Sequence, residues 1–291
     1  MSSRAKAEFF LLSITLIWGT TFVMTKVILQ HVSPFLYIVI RFGLSSLLFA
    51  GLFFSQIRTI RKQAVSKGAI LGLLLFVGFA LQTVGLEYTS ASKSAFVTGM
   101  LVVLTPICQI LIERRAPKAG NILGVVLVTL GLYFLTSPQG SEFNVGDALT
   151  LGCALCFALY IVYLDVFTKE FDVAQLTFVQ FVTAAVGGGV VALSMEFTWL
   201  ELNATFLGTI AYLIIMATLV ALYVQTKYQK DTTPTRAAVI FSVEPVIAAV
   251  FAYLVLGEKV GELGVLGGGL IFAGLLVSQL SDVIFSVGDK S

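Results

Sequence analysis

Charge is what this chain most lacks. Asp, Glu, Lys and Arg make up 12% of its 291 residues, against about 25% in an ordinary soluble domain. Apolar residues make up 58% and the mean hydropathy is +0.98. Because that hydrophobicity falls in many long runs, the composition implies a polytopic membrane protein. Histidine is nearly missing too. The one copy, His31, lies in a loop and leaves little for a catalytic triad or an H-E-x-x-H zinc site. No G-x-S-x-G and no Walker A loop occurs, which argues against an enzyme and excludes ATP-driven transport by this chain alone. Three cysteines, Cys108, Cys153 and Cys156, lie inside apolar runs. The C-x-x-C they include has no further ligands nearby, so it reads as small packing residues, with no metal and no cofactor expected. A net charge of +2 gives no ground for a nucleic-acid partner.

What is present is a series of apolar runs, each near the 20 or so residues needed to span a bilayer. Ten are expected: 7–29, 34–55, 67–86, 93–112, 119–135, 146–167, 174–195, 205–224, 235–256 and 261–280. The first is too long for a signal-peptide core and is read as a retained span. Fourteen basic residues fall on one side of this arrangement: Arg4, Lys6, Arg58, Arg61, Lys62, Lys67, Arg114, Arg115, Lys118, Lys169, Lys227, Lys230, Arg236 and Lys290. Only Lys26, Lys93 and Lys259 fall on the other. The positive-inside bias therefore places both termini in the cytoplasm. The expected location is the plasma membrane, the inner membrane of a bacterium.

The chain also resembles itself. Sliding it by 139 residues lays Glu8 on Asp147, Leu16 on Leu155, Trp18 on Phe157 and Arg41 on Gln180. Sliding by 143 lays Gln82 on Gln225, Lys93 on Arg236, Gly124 on Gly267 and Gly131 on Gly274. Five spans per half is an odd number, so the second half enters the membrane from the opposite face. The expected fold is all-α, with two inverted five-helix repeats, 1–139 and 140–291, and a site near the midplane where they meet.

Four stretches carry a likeness to a known family: "IWGTTFV" (17–23), "LQTVGLEYTSASKSAFV" (81–97), "VLTPI" (103–107) and "RAAVIFSVEPVIAAVFAYLVLGEK" (236–259). The sequence resembles the drug/metabolite transporter superfamily, in its EamA-type ten-span members. One departure is "LIERRAPK" (111–118), which has no glutamate aligned with Glu258 of "LGEK". The resemblance implies a transporter of small organic solutes, often an exporter of amino acids, metabolites or drugs.

Within the spans, polar residues mark the candidate site. Glu244 sits mid-span, where a charge costs about 3 kcal/mol and calls for a cavity or a partner; its mate is Leu101. Binding, proton coupling and a purely structural role are all open for it. Pro245 and Pro106 would kink the two mated helices about a turn apart, freeing backbone groups. Arg41 lies about 10 Å into span 2 and either snorkels to the headgroups or gates a site. Its polar mate Gln180 favours an inward position. Trp18, Thr21 and Thr25 share a face of span 1. Tyr160 and Tyr163, Phe79 and Gln82, and Ser94 and Thr98 complete a candidate substrate-binding wall, although helix-to-helix bonding explains any one of them. Glycine-rich spans 5 and 10 offer either close packing or a homodimer contact. The expectation is a secondary transporter, exporting small organic solutes such as amino acids by alternating access within the lipid bilayer. A passive channel or a lipid-handling protein is the alternative.

Overall fold

The computed structural model describes residues 2–136, 143–257 and 262–286. Glu258, Lys259, Lys290 and the 139/140 boundary named above lie outside them. Apart from a single antiparallel bridge between Val32 and Leu200, the regular structure among the described residues is helical. The helices are α1 (Ser3–Ile28), α2 (Pro34–Leu52), a short α3 (Phe54–Ile57), α4 (Lys62–Tyr88), α5 (Ala91–Gly99), α6 (Leu101–Glu113) and α7 (Ala119–Thr136). The second set is α8 (Val145–Thr168), α9 (Val173–Met195), α10 (Ala204–Tyr212), α11 (Ala221–Tyr228), α12 (Pro234–Phe241), α13 (Glu244–Leu256) and α14 (Glu262–Ser286). A π-helical stretch, Leu213–Val220, joins α10 to α11, so that Ala204–Asp231 forms one long rod. Among the described residues, eight segments are long and apolar enough to cross a membrane, and two shorter apolar ones, Ala119–Phe134 and Glu262–Ser278, accompany them.

Two of the rods are broken. α5 gives way to α6 at Met100, and α12 to α13 at Ser242 and Val243. Met100 and Val243 are mates under the 143-residue shift, so the breaks correspond although the prolines do not. Pro245 stands in the first turn of α13, where its missing N–H costs little, whereas Pro106 lies inside α6. In the first half the break therefore falls six residues before the proline. Its position coincides with a close approach: a Cβ on Gly99 would sit 3.0 Å from the Pro245 ring. The two interruptions touch. The same mates end alike. α6 stops at Arg114 (φ 54°) and α13 at Gly257 (φ 68°), both left-handed, a conformation glycine adopts freely and arginine at a cost.

Packing pairs helices of one half with helices of the other. α2 lies on α9, α4 on α8 and α9, α1 on α12 and α13, and α6 on α8. α7 and α14 cross antiparallel and intimately. A Cβ on Gly124 would meet the Gly274 carbonyl oxygen at 2.8 Å, and one on Gly131 would meet that of Gly267 at 2.7 Å. Of the glycines in these two helices, Gly124, Gly131, Gly267 and Gly274 are engaged between them. Small residues let backbones approach where the surrounding lipid supplies no hydrophobic driving force.

Candidate functional site

A cavity opens where the broken rods meet α1, α2, α4, α8 and α11. Its volume is about 50 Å³, well under the roughly 300–1,000 Å³ usual for small-molecule sites, so in this conformation the walls are drawn together and a solute enters only when they part. Seven of the residues expected from sequence line it: Trp18, Thr21, Arg41, Phe79, Gln82, Tyr160 and Glu244. The others stand behind the wall. Thr98 accepts a bond from Gln82 Nε2 (3.2 Å), and Gln180 accepts from the Tyr160 hydroxyl (3.0 Å) and donates to Thr226 (3.2 Å). Thr25 lies 3.3 Å from the Tyr37 hydroxyl and Ser94 3.4 Å from Thr150. Tyr163 stacks on Phe167, away from the lining. Pro106 and Pro245 also lie outside it.

Arg41 does not snorkel. Its residue is 2% exposed, and three aromatic or hydroxyl neighbours fix the guanidinium. Nε donates to Thr218 Oγ1 (2.6 Å) and Nη1 to the Tyr37 hydroxyl (2.8 Å). The plane lies 4.6 Å from the centre of the Phe79 ring, in cation–π range. Nη2 is buried and has no hydrogen-bond partner among the described residues. A guanidinium presents its donors in a fork that matches a carboxylate, so a rigidly held arginine with one nitrogen unsatisfied is a ready anion contact.

The π-helical stretch makes this arrangement possible. Thr218 Oγ1 bonds back five residues, to the Leu213 carbonyl (2.8 Å). The widened turns leave carbonyls for other helices: Ala217 O accepts from Trp18 Nε1 (3.0 Å) and Ile214 O from Ser45 Oγ (3.2 Å). Such turns are frequent at functional sites. Trp18 is thereby locked, edge-on to Phe241.

Glu244, the first residue of α13, faces the cavity from the other half. Its carboxyl makes no hydrogen bond and no ion pair with any described residue, Arg41 included. A cation and an acid thus share one chamber without neutralising each other. The chamber wall is otherwise apolar and aromatic, with Gln82 and Gln225 as further hydrogen-bonding groups.

Sequence reasoning missed Gln225 and Phe157, which also line the cavity. The signal was available, since they are the repeat mates of Gln82 and Trp18. Thr218 carried no signal, because nothing local marks a π turn. Of the other residues singled out, Ser90 caps α5 by accepting from the Lys93 N–H (3.1 Å), and Lys26 donates to the Thr89 carbonyl. His31 sits beside Glu201 and Asn203 (3.3 and 3.1 Å) in the loops joining α1 to α2 and α9 to α10. That imidazole and Asn203 hold the Glu201 carboxyl below the usual glutamate range.

The sequence pattern of the EamA-like transporter family matches residues 5–137 and again residues 144–279. An "uncharacterized transporter" of Archaeoglobus fulgidus is 32% identical, covering 95% of this chain and 87% of that protein. The "threonine/homoserine exporter RhtA" of Escherichia coli is 30% identical over 72% of this chain and 71% of its own length. A solved crystal structure, 15% identical, superposes with a TM-score of 0.79 over 95% of this chain and 97% of that one, a likeness of fold alone.

Proposed function

The chain belongs to the EamA-like transporter family, and from that premise we propose that it exports small zwitterionic solutes, amino acids foremost, by alternating access around this cavity. The observation that carries the reading is the unsatisfied Arg41 Nη2 in the same chamber as the unpaired Glu244. A solute with a carboxylate and an ammonium group bridges them, one charge to each half of the protein. The aromatic wall of Trp18, Phe79, Phe157 and Phe241 accepts the apolar remainder. The resemblance to an exporter of threonine and homoserine agrees with this substrate class.

Several features support the inverted plan beneath it. The family pattern matches twice, α7 and α14 run antiparallel, and mated residues meet across the bundle. On this plan the two shorter apolar helices complete ten spans, 1–139 and 140–291 are the repeats, both termini are cytoplasmic, and the protein resides in the plasma membrane. The halves rock about the cavity, with the breaks at Met100 and Val243 as deformable backbone. No bound nucleotide is required, because a solute gradient suffices.

The test is purified protein in liposomes loaded with labelled amino acids. Saturable efflux with counterflow is expected, and the corresponding amines and carboxylic acids, each lacking one charge, should compete poorly. Flux that never saturates would make the protein a channel. Equal transport of amine and amino acid would remove the Arg41 contact from the reading.

A further inference from the structure

Two ion pairs stand at opposite ends of the bundle. At the end that holds the loop from α2 to α4, Arg236 on α12 grips Glu8 on α1, with Nη2 at 2.6 Å and Nε at 2.8 Å from the same Oε1. At the other end, Lys93 on α5 reaches Asp147 on α8, Nζ to Oδ2 2.6 Å. The acids Glu8 and Asp147 are mates under the 139-residue shift, and the bases Lys93 and Arg236 under the 143-residue shift. Each pair therefore joins one half of the chain to the other, and each is the counterpart of its opposite.

Both pairs are built into their surroundings. Asp147 is fully buried and also accepts from the Thr89 hydroxyl (2.9 Å). The Arg236 side chain is 3% exposed, and its Nη1 donates to the Ser278 carbonyl (2.6 Å). Ion pairs withdrawn from water persist only with such complete bonding, and losing one partner strands the other charge. Their distance from the cavity is equal. Trp18 lies ten residues after Glu8 on α1 and Phe157 ten after Asp147 on α8, about 15 Å along each helix.

We propose that Glu8–Arg236 and Lys93–Asp147 are the two gate latches of the carrier, released one at a time. This rests on the alternating-access reading. Release of Glu8–Arg236 parts α1 from α12 while the far end stays tied, opening the cavity toward the Glu8 face. Release of Lys93–Asp147 does the converse. The latches differ in kind: Arg236 holds its acid with two nitrogens, whereas Lys93 offers one ammonium to an acid that Thr89 also holds.

The experiment reads conformation rather than flux. Cys108, Cys153 and Cys156 are replaced by Ala in the full chain, Thr21→Cys is introduced on the cavity wall, and a membrane-impermeant maleimide is applied to right-side-out and inverted vesicles. Lys93→Gln should raise labelling several-fold from the Lys93 face and not from the other, and Arg236→Gln should do the reverse. Lys93→Gln is the cleaner probe at its end because Asp147 also caps α8 by accepting from the Asn144 N–H (2.9 Å). The exchanged pair Glu8→Arg with Arg236→Glu should restore the parent pattern, which a mere folding defect would not allow. If neither single variant changes labelling, or each changes it equally from both faces, the latches are structural only. If the parent is labelled from both faces simultaneously, the carrier reading itself falls, a separate outcome.

Discussion

The first and second halves of this chain reach the cavity from the same positions but bring different chemistry. Trp18 and Phe157, Thr21 and Tyr160, Phe79 and Leu222, Gln82 and Gln225, and Leu101 and Glu244 are mates, and all ten line it. The apolar and amide positions correspond in kind, while the charged ones do not. Arg41 has Gln180 as its counterpart, and Glu244 has Leu101. On the proposed reading, the two halves build one chamber between them, and the unmatched Arg41 and Glu244 make its two sides chemically different. The proposed solute would then have one favoured orientation, which a symmetric chamber could not impose.

Abolishing the asymmetry is the most severe way to test it. Arg41→Gln gives both halves the same residue and removes the only cation on the cavity wall among the described residues. Losing one side of a buried charged contact costs about 2–5 kcal/mol, so affinity for a carboxylate-bearing solute should fall at least about 30-fold by that scale, read as a rise in the half-saturating concentration for efflux. Glu244→Gln should impair transport with folding intact. Because the amide matches the carboxyl in size and this carboxyl makes no hydrogen bond with any described residue, the thermal midpoint in detergent should be unchanged or higher. Wild-type flux in that variant at every pH tested would take Glu244 out of the mechanism.

A smaller effect is expected where the halves agree. Gly131 and Gly274 meet each other's helix with backbone and side-chain atoms within 3.0 Å of a notional Cβ, whereas Gly269 has nothing within 4 Å. Gly131→Ala and Gly274→Ala should each destabilise by about 1–3 kcal/mol through overpacking, and Gly269→Ala should not. Equal melting temperatures for all three would mean the α7–α14 crossing is looser than described.

Helix ends give the mildest contrasts. Asp172 caps α9 by accepting from the Ala174 and Gln175 N–H groups (2.9 and 3.0 Å). Its mate Ser33 makes no such bond to α2, and there Glu196 substitutes, accepting from the Phe35 and Leu36 N–H groups (3.0 and 3.1 Å). Asp172→Ala and Glu196→Ala should cost about the same, roughly 0.5–2 kcal/mol. Arg114→Gly, which copies Gly257 into the first half, should stabilise by up to about 1 kcal/mol, because the left-handed residue is then unstrained. A loss of stability there would show that the arginine head group outweighs its backbone.

These contrasts also mark what could be read from residues alone. Apolar runs and basic loops indicated a membrane bundle, since burial in lipid is imposed on each helix separately. The mate relations would have found Gln225 and Phe157 had they been carried through to every wall position, a step the sequence reading did not take. By contrast, Glu196 closing α2 across more than 160 residues, and the break at Met100 rather than Pro106, depend on which helices meet. No local pattern encodes them.

The order of the apolar segments and the residue types available to the chamber follow from the chain itself, because hydropathy and repetition are local or periodic properties. Tertiary structure alone decided that Arg41 turns inward onto Phe79 and Thr218 instead of outward to headgroups. It also decided that the glycines of α7 and α14 face one another, and that each acid near the start of α1 and α8 finds its base on the opposite half. Those outcomes depend on distances between segments far apart in the chain, and the helices fix such distances only when they pack.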